Sequence, residues 1–346
     1  MGNLVSNDDT IFSWEYTDQP HAERRIQILR KHPEIKKYMK ANGDPVMVVV
    51  CFLVLSLQLL LAYLNTLIPL DTMLSLRFAL NIFIGSFVAS WLLISLHEAA
   101  HCLLFGAAHP RLNRWYGILI NIVLLIPLFT YFKRHHRKHH KYLGNKDFDA
   151  EFPSTVEAHI FSKHTLLKYI WMIYNPILQH FRSAFMGDGK RDWLTFEEFA
   201  NFITCVAFSA FLFYSKNEYM WTHLALSAFV ALGTNMFGIW AMIVHCLYFE
   251  KEGTLSYYGW LNPWILNFGY HMEHHDFPNV PCRFLPEIRR IAPEFYEEQH
   301  YLDDIYSAVL QWLHDPRLGL FSRLKREDGG KAVWDSNKED EKVKGS

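Results

Sequence analysis

Three short histidine clusters, His97-Glu-Ala-Ala-His101, His136-Arg-Lys-His139-His140 and His271-Met-Glu-His274-His275, have the residue types and spacings from which a metal site can be built. Together they hold eight of the nineteen histidines. On a helix, residues three and four apart share a face, so each cluster can aim its imidazoles at one point. Neutral imidazole suits iron, copper and zinc. One tetrahedral zinc takes only four ligands, so eight histidines imply two metals. His97-Glu98-Ala99-Ala100-His101 also reads as H-E-x-x-H, with Glu98 as the general base of an intramembrane zinc protease. Such a site needs one further ligand and leaves two clusters unexplained. Taken alone, the cluster at 136 reads as a basic patch on anionic lipid headgroups. That explanation fails at His271, where basic residues are few.

The segments around the clusters must position them. Hydrophobic residues make up 51% of the chain and aromatics 16%, in long apolar runs that alternate with charged blocks, which predicts a membrane protein. A bilayer core takes roughly twenty apolar residues. The candidate spans are Val46 to Leu70, Leu76 to Leu96 interrupted by Arg77, the short Phe202 to Tyr214, and Leu224 to Phe249. Gly117 to Phe132 is also short and fits an interfacial segment or a re-entrant turn. Lys36, Lys37 and Lys40 before the first span, and the basic run from Lys133 to Lys141, place these flanks in the cytosol. A tight turn at Pro69 to Asp71 and another at Lys216 to Tyr219 make two hairpins, which bring all three clusters to one face. Residues 166–185 are amphipathic, and the charged tail from Lys325 onward reads as solvated and disordered.

The formal net charge of −1 argues against a nucleic-acid partner. Cys51, Cys102, Cys205, Cys246 and Cys282 follow no spacing pattern, so no disulfide framework is expected. No apolar h-region opens the chain, which predicts no cleavable signal peptide. Met1-Gly2-Asn3-Leu4-Val5-Ser6 fits the pattern for N-myristoylation of Gly2. His21, His32, His109, His159, His164, His180, His223, His300 and His314 read as interfacial or hydrogen-bonded residues, and His135, off the cluster spacing, as flanking charge.

Boxes of the form HxxxH, HxxHH and HxxHH, in this order between hydrophobic hairpins, resemble the membrane fatty acyl desaturase and hydroxylase superfamily. More narrowly, Phe12-Ser-Trp-Glu-Tyr-Thr-Asp-Gln-Pro-His-Ala-Glu-Arg-Arg25, His32-Pro-Glu-Ile-Lys36, Asn113-Arg-Trp115, Tyr142-Leu-Gly144, Ser256-Tyr-Tyr-Gly259 and Asn267-Phe-Gly-Tyr-His-Met-Glu-His-His-Asp-Phe-Pro-Asn-Val-Pro281 resemble the sphingolipid delta4-desaturases, also called dihydroceramide desaturases. The resemblance runs from Met1 to about Lys325. It implies an all-α, multi-span helical membrane protein with two transmembrane hairpins and a cytosolic histidine-rich di-iron cap. Two Fe ions would be held by His97, His101, His136, His139, His140, His271, His274 and His275, with a ninth histidine from the span before the third box. His245 is the only histidine left in that segment. The implied substrate is dihydroceramide, which gains a trans double bond between its fourth and fifth carbons to give ceramide. O2 is the oxidant, and electrons come from NAD(P)H through cytochrome b5. The implied location is the endoplasmic reticulum membrane, and the C-terminal Lys342-Val-Lys344-Gly-Ser346 weakly resembles a dilysine retrieval signal. The implied organisation is an N-terminal segment 1–45, a desaturase domain 46–290 and a C-terminal segment 291–346. Some relatives hydroxylate the fourth carbon. The two outcomes share the first hydrogen abstraction, so the boxes do not choose between them.

The chain departs from its relatives before the third box. Where they usually carry G-L-H-P-x-x-G-H-F-x-x-E-H, it has Gly233-Thr-Asn235-Met-Phe-Gly-Ile-Trp240-Ala-Met-Ile-Val244-His245. The Asn-His-Ser usual upstream of the first box is replaced within Val88-Ala-Ser-Trp-Leu, and Arg137-Lys138 stand where an acidic residue is common. A catalytically silent, lipid-binding relative is therefore the rival class. One myristoyl chain adds only marginal membrane affinity beside hydrophobic spans. Gly2→Ala is expected to abolish acylation, read by mass spectrometry of the N-terminus, while the protein stays in the membrane fraction.

Overall fold

The computed structural model describes residues 12–39, 42–67, 76–185, 195–233, 240, 242–249 and 253–326; Gly2, the 69–71 turn, Asn235 and the dilysine-like terminus lie outside the described residues. The chain is mainly helical. Its helices are α1 (His21–Lys31), α2 (Pro45–Asn65), α3 (Leu76–Ala100), α4 (Pro110–Leu124), α5 (Phe129–Lys141), α6 (Thr155–Phe161), α7 (Thr165–Phe185), α8 (Phe196–Tyr214), α9 (Glu218–Gly233), α10 (His271–Asp276), α11 (Leu285–Ile291) and α12 (Ile305–His314). Two parallel strand pairs, which an all-α expectation omits, join β1 (Ser13–Glu15) to β4 (Leu324–Arg326) and β2 (Ser256–Tyr257) to β3 (Tyr301–Leu302).

Pro45–Asn65, Phe78–Ala100 and Phe196–Tyr214 are long and apolar enough to cross a bilayer. The Asp44 side chain starts α2 by accepting the N–H groups of Val46 and Met47, and Pro45 needs no such partner. Met47, Cys51, Leu55, Gln58, Ala62 and Asn65 form the buried stripe of α2, while Val49, Phe52, Leu53, Leu60 and Leu64 are exposed. Apolar side chains in such numbers on one outer face are stable only against lipid or another apolar partner. The Asp44 N–H bonds the Leu104 carbonyl at 2.9 Å, and Asn65 meets His223 at 2.5 Å, so α3 returns beside α2 and α9 begins at the far end of both.

Several boundaries differ from those expected. α3 continues through His97 to Ala100. α8 begins at Phe196 rather than Phe202, because Glu197 and Glu198, which interrupt the apolar run, complete its first turn through a capping box with Thr195. Of the span expected over Leu224 to Phe249, the described residues are helical to Gly233 and again at 240, 242 and 243, and they are not helical from Val244 to Phe249. Gly233, the last described residue of α9, packs so closely that a Cβ there would come within 3.1 Å of Ile173, and the chain from Val244 bonds its neighbours: Leu255 N–H to the Val244 carbonyl at 2.7 Å and Leu247 N–H to the Ser322 carbonyl at 2.9 Å. Gly117 to Phe132, left open above, is two helices, α4 and α5, at 119°. The break sits at Leu125, left-handed at φ 57°, where the Asn121 carbonyl takes the Ile126 N–H and the Asn121 side chain takes the Phe129 N–H.

The tail expected to be solvated from Lys325 instead begins in strand β4, with Lys325 and Arg326 buried. Arg326 bonds Glu15 at 2.8 Å and the Thr17 carbonyl at 3.0 Å, and its N–H reaches the Gly144 carbonyl at 2.9 Å. Gly144 has φ 76°, and a Cβ there would lie 2.4 Å from the Leu324 carbonyl, which accounts for the glycine in Tyr142-Leu-Gly144. The β1–β4 pair thus ties onto the loop that follows the second histidine cluster.

The Phe129 ring lies against Gly117 at the α4–α5 bend, where an added Cβ would meet it at 2.4 Å. Overpacking of this kind costs about 1–3 kcal/mol. Gly117→Ala is expected to lower the thermal unfolding midpoint of the purified protein, and Leu119→Ala, on the exposed face of α4, to leave it nearly unchanged.

Candidate metal centre

Four chain segments supply nine histidines to one buried volume. His97 is in the last turn of α3, and the His101 N–H continues that turn by bonding the His97 carbonyl at 3.2 Å. α5 turns His136, His139 and His140 inward, α10 presents His271, His274 and His275, and His245 sits in the turn after α9. The ligand nitrogens of His97, His101, His136, His140 and His274 all lie within 4.8 Å of one another, as do those of His139, His245 and His275. The His271 Nε2 stands 3.0 Å from that of His245 and 3.2 Å from that of His275, completing a second group of four.

These spacings fit two metal ions. Nitrogens each about 2.1 Å from one ion stand roughly 3.0–3.4 Å apart. The Nε2 pairs His139–His245 and His271–His245 are at 3.0 Å, and His136–His140 and His140–His274 at 3.1 Å. Both nitrogens of His97 and the Nε2 of His101 are buried with no hydrogen-bond partner. Each such orphan costs about 1–3 kcal/mol unless something accepts its lone pair. Burial also holds His271, His274 and His275 well below the ordinary imidazole range, the neutral form a ligand requires.

Carboxylates behind the rings fix their orientation. His136 Nδ1 meets Glu151 at 2.7 Å, His139 Nδ1 lies 3.0 Å from both oxygens of Asp149, and His245 Nδ1 is 3.0 Å from the Gly253 carbonyl. With the proton on Nδ1, each ring turns its Nε2 lone pair into the cluster. Asp149 is itself held by the Gly144 N–H at 2.7 Å. Behind α10, the Asp276 carboxylate receives His21 at 2.7 Å, Arg24 at 2.8 Å and the Tyr296 hydroxyl at 3.0 Å. Burial pushes His21 down to about 4, against its hydrogen bond to Asp276. Burial pushes Glu273 up to about 7, against hydrogen bonds from Ser256 and Tyr258, both at 2.6 Å.

Sequence reading did not find Asp149, Glu151, His21, Arg24 or Asp276 as supports of the site. Asp149 and Glu151 carry no diagnostic spacing, and the N-terminal block gave no hint that α1 packs on the third box. His21 is hydrogen-bonded as expected, but its ring centre lies 4.9 Å from that of His275. His135 is not solvated flanking charge: it is buried and stacked on Tyr131 at 4.2 Å. Glu98 does not serve as the base of a zinc protease. Its buried carboxylate takes the Cys282 thiol at 2.9 Å and the Cys282 N–H at 3.2 Å, tying α3 to the chain after the third box.

A cavity reaches both histidine groups through His97, His136, His245 and His271. Leu128, Phe132, Met172, Leu232, Trp240, Val244 and Phe268 make its apolar wall, and Glu151, Asn175 and Gln179 its polar part. Met172, Asn175, Pro176 and Gln179 follow i, i+3, i+4, i+7 spacing and so share one face of α7.

The family model for fatty acid desaturase matches residues 73–306, and that for sphingolipid delta4-desaturase matches residues 8–43. The chain belongs to the fatty acid desaturase family. Sphingolipid delta(4)-desaturase DES1 of Homo sapiens is 33% identical to this desaturase, covering 96% of this chain and 99% of its own length. The Bos taurus protein of the same name is 34% identical with the same coverage. Sphingolipid delta(4)-desaturase DES1-like of Oryza sativa subsp. japonica is 35% identical over 92% of this chain and 93% of its own. In this desaturase Trp240 and Val244, the described departures in the segment before the third box, both lie in the cavity wall. Trp240 packs edge-on to Tyr257 at 5.6 Å and tilted against Phe268 at 6.2 Å. His245, the histidine kept, is the one that joins the cluster.

His245→Ala is expected to lower iron content and turnover together, and Asp149→Asn to cost roughly 10–100-fold in metal affinity or activity, the usual scale for losing a ligand's outer partner. Cys246→Ser should change neither. Elemental analysis of the purified proteins, set beside turnover, checks all three.

Proposed function

We propose that this desaturase is a sphingolipid delta4-desaturase, which converts dihydroceramide to ceramide by forming the trans double bond between C4 and C5 of the sphingoid base. The observation that carries this reading is the cavity reaching both histidine groups: apolar along most of its wall, yet polar at Glu151, Asn175 and Gln179. C4 of a sphingoid base is one bond from the carbon bearing the 3-hydroxyl and two from the carbon bearing the amide. An enzyme that reacts there needs hydrogen-bonding groups close to its metal ligands, whereas one acting deep in an acyl chain does not. The names of relatives matching nearly the whole chain support the same substrate.

His97, His101, His136, His140 and His274 would hold one iron, and His139, His245, His271 and His275 the other. Bound there, the pair would supply from O2 and two electrons the oxidant that an unactivated methylene demands. Two hydrogens leave the substrate and two electrons with two protons enter from the donor, so O2 leaves as two waters. The chain's own residues do the rest. Asp149, Glu151 and the Gly253 carbonyl keep protons on Nδ1 of three ligands. Trp240, Phe268, Met172 and Leu232 exclude water and align the alkyl chain. Glu151, Asn175 and Gln179 fix its polar end. Electrons from NAD(P)H through cytochrome b5, residence in the endoplasmic reticulum membrane and a cytosolic position for the boxes belong to the same proposal. The last is supported by Lys36 and Lys37 before α2 and by the cations of α5.

Lipid profiling of desaturase-deficient cells expressing this chain tests the proposal. Ceramide with a trans C4–C5 double bond should appear, and His274→Ala should abolish it while leaving the protein in the membrane fraction. A 4-hydroxylated base as the main product would assign the chain to C4 hydroxylation. An iron-loaded protein that makes neither product would mark a catalytically silent relative.

A further inference from the structure

The basic residues of the second cluster have a second role. α5 turns its histidines into the centre, and on another face Lys133, Arg134 and Arg137 line an open pocket of about 230 Å³ with Arg114 of α4 and Thr195, Glu197 and Glu198 of α8. The two carboxylates are engaged. Glu197 pairs with Arg114, and Glu198 pairs with Arg134 at 2.8 Å while closing the capping box of α8. Lys133 approaches the Cys102 thiol, at 3.9 Å, and the Phe129 ring and lies within the field of Glu197 without pairing with it, and Arg137 is exposed; neither forms a salt bridge with a carboxylate among the described residues. Among the described residues the pocket therefore holds four cations against two acids, and the two cations that form no salt bridge there line the same space.

Its position selects the ligand. α8 is one of the three helices suited to crossing a bilayer, and the pocket is at its first turn, the level at which a span leaves the hydrocarbon. Phe196 is 83% exposed and Trp115 66%, and Leu112, Leu119, Phe199 and Phe202 are exposed on the same two helices. Aromatic side chains of this kind mark the headgroup level of membrane proteins. Clefts that enclose a whole drug-sized ligand run to about 300–1,000 Å³. A pocket smaller than that, cationic inside and flanked by apolar side chains, suits a phosphate headgroup whose acyl chains remain outside.

We propose that this pocket binds the phosphate of an anionic glycerophospholipid at the membrane surface, with Lys133 and Arg137 as its main contacts and Arg114 and Arg134 behind them. Because Lys133, Arg134 and Arg137 share α5 with His136, His139 and His140, a seated headgroup braces that helix from its outer side. The site is separate from the sphingolipid cavity, and its test does not depend on turnover.

The full-length protein is purified into nanodiscs of phosphatidylcholine alone or with phosphatidic acid, released, and weighed by native mass spectrometry. Wild type should retain one phosphatidic acid per chain in preference to phosphatidylcholine. The double variant Lys133→Gln, Arg137→Gln should retain it about 10–30-fold more weakly, the scale set by two juxtamembrane cations. Arg30→Gln with Lys163→Gln, which removes two exposed cations elsewhere, should behave as wild type. Equal iron content in all three proteins shows that the double variant is folded. Equal retention by wild type and double variant, or no preference for phosphatidic acid in wild type, overturns the proposal. Displacement by millimolar inorganic phosphate alone would make the pocket a site for a free anion instead. Unchanged lipid retention with slowed reduction by an acidic electron-donor protein would reassign the cations to that partner.

Discussion

Nine imidazoles side by side, eight of them buried and seven with ring nitrogens 3.0–3.2 Å from a neighbour's, make an arrangement that folding alone does not favour. Neutral rings in such contact bring lone pairs together, and burial disfavours the charged form of most of them, while Asp149 and Glu151 raise His139 against its burial. The arrangement is stable only if something accepts those lone pairs and if each ring is prevented from turning away. Most of the chain outside the spans serves the second need. Asp149 and Glu151 hold two rings of α5, the Gly253 carbonyl holds His245, and the N-terminal helix reaches across the sequence to place His21 and Arg24 on Asp276, next to His275.

The same constraint accounts for motifs with no evident chemistry of their own. Ser256 receives the Met272 N–H at 2.8 Å and donates to Glu273, while Tyr258 donates to the other Glu273 oxygen, so the Ser256-Tyr-Tyr-Gly259 block fixes the α10 backbone between its histidines. Asn113 bonds the Phe105 N–H and the Gly106 and His109 carbonyls, holding the chain that follows the first box. Arg182 binds the Ala150 carbonyl at 2.7 Å and the Phe152 carbonyl at 3.0 Å, so α7, which lines the cavity, also secures the backbone on either side of Glu151.

The departures at Trp240 and Val244 acquire a physical meaning from this framework. Beside them, His245 still faces His139 and His271, each at 3.0 Å. The two departures replace polar side chains of the relatives' pattern with apolar wall beside Phe268. Both side chains therefore bear on the shape of the cavity.

The sequence by itself determined the metal-ligand chemistry and the apolar helices. Histidine spacing on a helix, and apolar length against bilayer thickness, are local properties of the chain. It also pointed to His245, because that was the one histidine left in its segment. The tertiary structure decided what depends on residues far apart in sequence. It sorted the nine histidines into groups of five and four and placed His245 in a turn. It drew Lys325 and Arg326 into a strand with the N-terminal segment. His21 and Asp276 are separated by 255 positions and bear no mutual spacing, so no periodicity could have paired them. Only the packing of α1 on α10 brings the carboxylate and the imidazole within hydrogen-bonding distance.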